Sequence, residues 1–178
     1  MTLALVRHGR TPWNLERRMQ GRSDIALDDV GRSQADAAGR VLAAAVWTRI
    51  VSSPLRRAVD TADIIGAHLP DARRDIEPDL VERHYGAAEG LAVAEVRHRW
   101  PDEDYPAAES VAQTQERGIR AVRAVHDAGG SAIVVAHGTL LRLTIEGLTG
   151  QRCPRILNGE VVLLEHEGDR FRARRLVE

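Results

Sequence analysis

The stretch that decides the fold lies at the start of the chain: Leu3-Ala4-Leu5-Val6, followed at once by Arg7-His8-Gly9. A short apolar run that ends in a glycine turn is typical of a buried strand, so we predict a strand over 3–6. The same pattern recurs at Ala132-Ile133-Val134-Val135-Ala136, followed by His137-Gly138. Two predicted buried strands therefore each end in a histidine followed by a glycine.

Strand and helix patterns alternate along the rest of the chain. Ile50-Val51-Ser52-Ser53-Pro54 predicts a strand that ends at a serine cap, with proline in the first turn of the next helix. Residues 70–79 are rich in proline and aspartate, and Leu80 to Gly90 has no clear period. Residues 101–108 are predicted to form a surface loop. Helices are predicted over Asp28 or Asp29 to about Ala45, Leu55 to His68, Leu91 to Trp100, Ser110 to Ala128 and Thr139 to Leu148, with a final hairpin around Val161–Leu164 and Phe171 to Val177. This order predicts an α/β fold in one domain spanning residues 1–178.

The composition excludes several classes of function. A formal net charge of -1 argues against nucleic acid or an anionic membrane as the main partner. The one cysteine, Cys153, allows no internal disulfide, and all 25 basic residues are arginine, which excludes lysine-based mechanisms. The apolar run at the N-terminus is too short for a signal peptide or a membrane span, so we expect a cytoplasmic location by default.

The residues at the predicted strand ends suit a phosphate group. Ligands of open α/β sheets bind at the carboxyl ends of the strands, where Arg7, His8 and His137 and the turn before Arg56-Arg57 are expected to converge. Arginine matches phosphate oxygens, and a neutral imidazole can act as a nucleophile. A phosphohistidine reaction would also need a carboxylic acid as proton donor for the leaving alcohol.

Several blocks of the sequence resemble the histidine phosphatase superfamily, branch 1, whose members are similar to phosphoglycerate mutase. The resemblance extends in order over almost the whole chain. Its blocks are Leu5 to Asn14, Gln20-Gly21, Asp24 to Leu27 with Gly31 and Gln34-Ala35, Ser52 to Ala58 with Thr61-Ala62, Leu80 to Gly90, and Val134 to Arg142. It implies a three-layer α/β/α fold with a mostly parallel central sheet.

The resemblance also assigns roles to residues. It implies that His8 is the nucleophile, that Glu82 is the general acid and base, and that the phosphoryl oxygens are held by Arg7, Arg57 and His137. It implies further contacts in the phosphate pocket from Asn14 and the backbone N–H of Gly138, and a substrate mouth lined by Gln20, Gly21 and Tyr85. It requires no metal and no cofactor.

Two of these assignments have rivals. Arg56 and Arg57 are equivalent by pattern, and only the resemblance selects Arg57. Glu89 and Glu109 compete with Glu82, which is preferred because it precedes Arg83-His84-Tyr85-Gly86 as the family's acid does. His84 is expected to be a packing residue, and the remaining histidines, His68, His98, His126 and His166, have no motif around them.

The sequence favours hydrolysis over mutase chemistry. The block Leu80 to Ala87 resembles the mutase form, but Val93 stands where mutases have lysine, and their insertion before the second histidine is missing. Because only about 55 residues separate Glu82 from His137, little chain is left for a lid that would exclude water. We therefore expect a phosphatase, with a mutase or a phospho-ligand binding module as the alternatives.

The expected substrate is a small phosphorylated metabolite. Specificity would come from the loops Arg17 to Asp24 and Gly90 to Glu109, which carry no readable code. Arg10 and Ala88 depart from the commoner family residues at their positions, which bears on the same choice. The sequence leaves a homodimer open.

Overall fold

A computed structural model describes residues 1–168 and 170–176. Val177, the last residue of the predicted hairpin, lies outside these ranges. The strands are β1 (Thr2–Arg7), β2 (Arg49–Ser52), β3 (Arg73–Ile76), β4 (Ala132–Ala136), β5 (Val161–Glu167) and β6 (Arg170–Arg175). The α-helices are α1 (Pro12–Leu15), α2 (Asp29–Leu42), α3 (Arg56–Ala67), α4 (Val93–Arg99), α5 (Val111–Asp127) and α6 (Gly138–Thr149), and short 3-10 turns span Pro78–Leu80 and Gly86–Ala88.

The six strands form one mostly parallel sheet in the order β3-β2-β4-β1-β5-β6. The first four strands in this order pair in parallel, and β5 is antiparallel to both of its neighbours. β1 and β4 lie side by side at the centre, with Val6 opposite Val135 and Arg7 opposite Ala136. The prediction of a mostly parallel α/β sheet is confirmed.

Helices cover both faces of the sheet, because successive side chains of a strand point to opposite sides. Leu3 and Leu5 of β1 pack in one core with α5 and α6. Ala4 and Val6 pack in a second core with α2 and α3. The fold is therefore the three-layer α/β/α arrangement that the family resemblance implied. Among the described residues, none of the helices combines the length and the apolar character needed to cross a membrane.

Two short elements were missed by the sequence analysis. β3, within the proline- and aspartate-rich stretch 70–79, has the sequence Arg-Arg-Asp-Ile and exists because its backbone pairs with β2 at the edge of the sheet. α1 has only four residues and is stabilised by reciprocal hydrogen bonds between Thr11 and Asn14. Neither element carries an apolar period.

Other predicted boundaries need correction. α2 ends at Leu42 rather than near Ala45, because the Trp47 indole donates a hydrogen bond to the Leu42 carbonyl oxygen. α4 begins at Val93 rather than Leu91, because the Leu91 carbonyl accepts a hydrogen bond from the Met19 N–H.

The predicted serine cap of α3 is wrong, and so is the proline in its first turn. Leu55 occupies the N-cap in an extended conformation and makes no side-chain cap, so Pro54 precedes the helix. The Ser53 hydroxyl instead bonds with His137. The segment 101–108 is irregular as predicted, but Tyr105 is buried against Tyr85.

The loop after β1 lies directly against the first turn of α2. A Cβ atom on Gly9 would lie 2.2 Å from the Gly31 carbonyl oxygen, and one on Gly31 would lie 2.0 Å from the Arg10 carbonyl oxygen. Since real Cβ atoms do not approach so closely, both positions need glycine. The contact fixes the chain that follows His8.

We expect Gly31→Ala to lower the free energy of unfolding by about 1–3 kcal/mol, although alanine is the better helix former. The cause is the overlap of the new methyl group with Arg10 backbone atoms that cannot move independently of β1. Urea denaturation measures this, with Ser33→Ala on the exposed face of α2 as the control. A Gly31→Ala protein as stable as the control would contradict the close contact.

Candidate active site

The two histidines meet at the carboxyl ends of β1 and β4. His8 directly follows Arg7 of β1, and His137 directly follows Ala136 of β4. The His8 backbone N–H donates to the Ala136 carbonyl oxygen at 3.0 Å. The centroids of the two imidazole rings are 5.2 Å apart. His8 is 3% exposed and His137 is fully buried. The structure therefore brings together the two histidines that the sequence paired.

His8 has the form of a neutral nucleophile. Its Nδ1 lies 2.7 Å from the Gly9 carbonyl oxygen, which can only accept, so Nδ1 carries the proton and Nε2 keeps its lone pair. Burial, followed by the positive charges of Arg57 and Arg7, holds the pKa of His8 well below its ordinary value. The imidazole is therefore neutral at physiological pH.

His137 is arranged as a hydrogen-bond donor. Its Nε2 lies 2.8 Å from Ser53 Oγ, and that oxygen accepts from the Leu55 N–H at 3.3 Å. The Ser53 hydroxyl can therefore donate a hydrogen bond to Nε2. Nδ1 then carries the ring proton, and it has no hydrogen-bond partner among the described residues. Burial, then Arg57, lowers the pKa of His137 well below its ordinary value. A neutral His137 can thus donate to an oxyanion.

Two buried arginines complete the cationic part of the site. Arg57, in the first turn of α3, donates to the carbonyl oxygens of Ser23 at 2.8 Å and Gly21 at 2.7 Å. Arg7 donates to the Ile156 carbonyl oxygen at 2.8 Å. Burial lowers the pKa of Arg57 to about 10, although the nearby Glu82 partly offsets this effect. The guanidinium therefore stays charged at neutral pH. Arg56, its rival in the sequence, lies exposed at the surface.

The Nε atoms of both arginines are buried and have no partner in residues 1–168 and 170–176. Together with His137 Nδ1, three buried nitrogens at the strand ends can still donate hydrogen bonds. Unpaired buried donors are costly, and an oxyanion with several acceptor oxygens would satisfy them. The donor set fits a phosphoryl group.

The Glu82 carboxyl group lies at the N-terminus of α6, the helix that begins directly after His137. Its Oε2 accepts from the Thr139 N–H at 3.0 Å, and its Oε1 accepts from the N–H groups of Leu140 and Arg83, both at 2.9 Å. Three backbone donors therefore hold the carboxyl group in one place. Its charge acts on both Arg7 and Arg57, which places it at the same site.

The rival carboxylates have other partners. Glu109 forms a two-fold ion pair with Arg117 at 2.8 and 2.9 Å. Glu89 accepts hydrogen bonds from the 22–23 backbone and from Tyr85. Neither carboxylate is placed like that of Glu82, which meets the helix that begins beside His137.

Asn14, Gln20 and Tyr85, three of the predicted substrate-binding residues, are held by side-chain hydrogen bonds. Asn14 Nδ2 and Thr11 Oγ1 both donate to Gln20 Oε1, which leaves the buried Gln20 Nε2 without a partner among the described residues. The Tyr85 hydroxyl lies 2.6 Å from Thr139 Oγ1. Burial raises the pKa of this phenol, which is therefore neutral at physiological pH.

Two predicted glycines allow close approaches. A Cβ atom on Gly138 would lie 3.1 Å from Arg7 Nε. The carbonyl oxygen of Gly21 accepts from Arg57. Both glycines thus lie against an arginine of the cluster, and Asn14 is linked to the His8 backbone through Asn158.

The sequence did not reveal the contacts of two residues of the site, Ser53 and Asn158. Ser53 was interpreted only as a helix cap within a family motif, although it bonds with His137 across 84 positions. Asn158 donates to the His8 carbonyl oxygen at 3.0 Å and to Asn14 Oδ1 at 3.1 Å, and no pattern around it indicated this. Both contacts join segments that are far apart in the chain.

Fold and site together define a class: an α/β protein in which two histidines, two arginines and a carboxyl group meet in a buried cluster at the strand ends. The family model of the histidine phosphatase superfamily (branch 1) matches residues 3–178, and the chain belongs to this superfamily of enzymes.

Three similar proteins illustrate the range of the family. The chain is 38% identical over 152 residues to the uncharacterized phosphatase PhoE of Bacillus subtilis, covering 83% of this chain and 77% of that protein. It is 31% identical over 189 residues to a 2,3-bisphosphoglycerate-dependent phosphoglycerate mutase of Gloeobacter violaceus, covering 94% and 86%. A structure of mycobacterial glucosyl-3-phosphoglycerate phosphatase with VO3 superposes with a TM-score of 0.89 at 28% identity, covering 98% and 97%.

The buried histidines predict a pH-dependent stability. Their pKa values in the folded state lie below that of an unfolded histidine, about 6.5, so the unfolded chain takes up protons first as the pH falls. We expect the free energy of unfolding to be unaffected by them above pH 7. Below pH 6.5 it should decrease by up to about 1.4 kcal/mol per pH unit for each histidine.

Urea denaturation between pH 7.5 and 5 measures this slope. We expect His137→Asn to have a smaller slope than the wild type, and His98→Asn, at an exposed position of α4, to keep the wild-type slope. Equal slopes for the wild type and His137→Asn would contradict a buried neutral His137.

Proposed function

We propose that the chain is a metal-independent phosphatase that hydrolyses a small phosphomonoester through a phosphohistidine on His8. The observation that carries the proposal is the state of His8: a neutral, buried imidazole whose Nε2 lone pair is free beside two charged arginines. A neutral imidazole among fixed cations is a nucleophile already placed against a phosphate dianion.

In the first half-reaction, His8 Nε2 attacks the phosphorus atom and the bond to the leaving oxygen breaks. Arg7, Arg57 and the Nδ1–H of His137 would bind the equatorial oxygens, where negative charge is concentrated in the transition state. Glu82, in its protonated form, would give its proton to the leaving alkoxide. The alcohol product departs and the phosphoryl group stays on Nε2.

In the second half-reaction, a water molecule attacks the same phosphorus atom. Glu82, now ionised, would accept a proton from this water, and the P–N bond breaks with the electron pair returning to Nε2. Inorganic phosphate leaves, and both His8 and Glu82 regain their starting states. One carboxyl group thus serves in turn as acid and base.

The relatives support hydrolysis. PhoE is named a phosphatase, and the mycobacterial structure is that of a phosphatase. The segment between Glu82 and His137 also supports access of water. It contains the three-residue 3-10 turn Gly86–Ala88, α4 with seven residues, α5 with 17 and strand β4, which leaves little chain for a lid over the site. We propose accordingly that the phosphohistidine reacts with water.

Mutase activity is the second candidate, and a specific observation favours it. The Gloeobacter violaceus relative is named a phosphoglycerate mutase, and the block Leu80 to Ala87 resembles the mutase form. Against it, Val93 begins α4 at the position where the family's mutases carry a lysine.

A phospho-ligand binding module is the third candidate, but binding alone needs neither the Nε2 nucleophile nor the Glu82 carboxyl group.

The class of substrate and the cellular location are also part of the proposal. The near-zero net charge supports a small phosphorylated metabolite as the partner, rather than nucleic acid or a membrane, and we propose a cytoplasmic enzyme. A homodimer stays a prediction.

We expect His8→Ala to lower kcat by at least about a thousandfold, because it removes the nucleophile. We expect Glu82→Gln to lower kcat by about 100-fold or more with alkyl phosphates, whose leaving oxygen needs a proton. With p-nitrophenyl phosphate, whose leaving group needs none, the loss in the first half-reaction should be much smaller.

Phosphate release from both substrates measures these effects, with burst kinetics separating the two half-reactions. Glu116→Gln at an exposed position of α5 is the matched control and should behave as the wild type. Equal losses for both leaving groups in the burst phase of Glu82→Gln would rule out its role as the acid. A folded wild type that releases no phosphate from any phosphomonoester would rule out the proposed function.

Supplying 3-phosphoglycerate separates the two enzyme candidates. We expect free phosphate and glycerate, because water reaches the phosphohistidine. The products are resolved by phosphorus NMR, and a wild type that forms 2-phosphoglycerate faster than free phosphate would establish the mutase instead.

A further inference from the structure

The loop of residues 21–24 connects the phosphate-binding cluster to the segment that carries Glu82. On one side it meets the start of α3: its Gly21 and Ser23 carbonyl oxygens accept from Arg57, and Asp24 Oδ1 accepts from the Arg56 N–H at 2.7 Å. The two carbonyl groups take both terminal nitrogens of the Arg57 guanidinium. The position of this loop therefore sets the position of Arg57.

On its other side the loop is held by one carboxylate, that of Glu89. Oε2 accepts from the Ser23 N–H at 3.1 Å and from the Ser23 hydroxyl at 2.9 Å, and Oε1 accepts from the Arg22 N–H at 3.0 Å. Oε1 also accepts from the Tyr85 N–H at 3.2 Å. Glu89 thus joins the loop to the chain that follows Glu82.

The contact is close and leaves no room for a side chain. A Cβ atom on Gly21 would lie 2.2 Å from Glu89 Oε1. The Glu89 side chain is 15% exposed. Burial by itself would raise the pKa of Glu89, but the hydrogen bonds from Arg22, Ser23 and Tyr85 bring it below its ordinary value. The carboxylate is therefore ionised at neutral pH and accepts from all four donors.

We propose that Glu89 is a positioning residue for phosphoryl transfer. It holds Arg57 in place through the loop of residues 21–24. It does not touch the transferred group; it acts on Arg57 through the two carbonyl groups that accept from the guanidinium and through its own negative charge nearby. The proposal rests on the proposed phosphatase function and adds to it the residue that keeps the arginine aligned with His8 and Glu82.

The pattern of acceptors makes glutamine a sharp substitution. Each Glu89 oxygen accepts two donors, and the amide of glutamine keeps one oxygen while its NH2 group can only donate. With the NH2 group in the place of Oε1, the N–H groups of Arg22 and Tyr85 lose their acceptor; with it in the place of Oε2, the Ser23 N–H loses its acceptor while the Ser23 hydroxyl can turn to accept. Glu89→Gln therefore keeps the volume of the side chain but breaks at least one of its four hydrogen bonds in either orientation.

The first measurement is orthovanadate binding by calorimetry, together with kcat and KM. We expect Glu89→Gln to bind orthovanadate about tenfold more weakly and to lower kcat/KM by a similar factor, while staying folded at the assay temperature. Glu116→Gln, at an exposed position of α5, is the matched control and should match the wild type in both. Unchanged orthovanadate affinity in a folded Glu89→Gln protein would overturn the proposal.

A double-mutant cycle shows whether Glu89 acts through Arg57. Arg57→Lys keeps the positive charge but loses the fork that binds both carbonyl groups. We expect Glu89→Gln to cost about tenfold in kcat/KM with Arg57 present and less than about twofold with lysine there. The same cost in both backgrounds would mean a general structural role and would overturn the proposal.

Failure of the proposed function is recognised separately. A wild type that binds neither orthovanadate nor phosphate would refute the phosphatase assignment before any variant is made. A wild type that binds and turns over normally, with Glu89→Gln behaving identically, would refute only the role of Glu89.

Discussion

The parallel register between β1 and β4 fixes both histidines, and the rest of the site is built around them. Arg7 lies opposite Ala136, so the residues that follow each strand emerge side by side. The apolar side chains of the two strands are buried on both faces of the sheet, which makes a shift of register costly. A shift by one residue would turn His8 to the opposite face and separate the rings, which now lie 5.2 Å apart.

The same burial has opposite consequences for the two kinds of basic residue in the site. Desolvation lowers the pKa of histidine and arginine alike, because it penalises the charged form. Histidine starts near 6.5 and becomes neutral, whereas Arg57 starts so high that it remains charged with a pKa of about 10. One physical effect thus yields a neutral imidazole with a free lone pair beside guanidinium groups that stay charged.

Much of this arrangement could be predicted from the sequence, because it depends on local patterns. Apolar runs followed by His-Gly located β1, β4 and both histidines, and helical periods located α2, α5 and α6. The contacts that could not be predicted join distant segments: Ser53 with His137, Asn158 with His8, and Glu89 with the 22–23 backbone. β3 was missed because edge pairing of the backbone, rather than an apolar pattern, creates it. The choice of Arg57 and Glu82 over their neighbours came from the family resemblance.

The most direct test of the account is to trap the covalent intermediate. The wild type is mixed with a rapidly cleaved phosphomonoester, quenched in alkali within milliseconds, and analysed by peptide mass spectrometry. The account predicts a phosphoryl group on His8 that survives alkali, is lost in mild acid and is absent from His8→Ala. Phosphate found on a carboxylate or a hydroxyl group, or rapid turnover by His8→Ala, would contradict it.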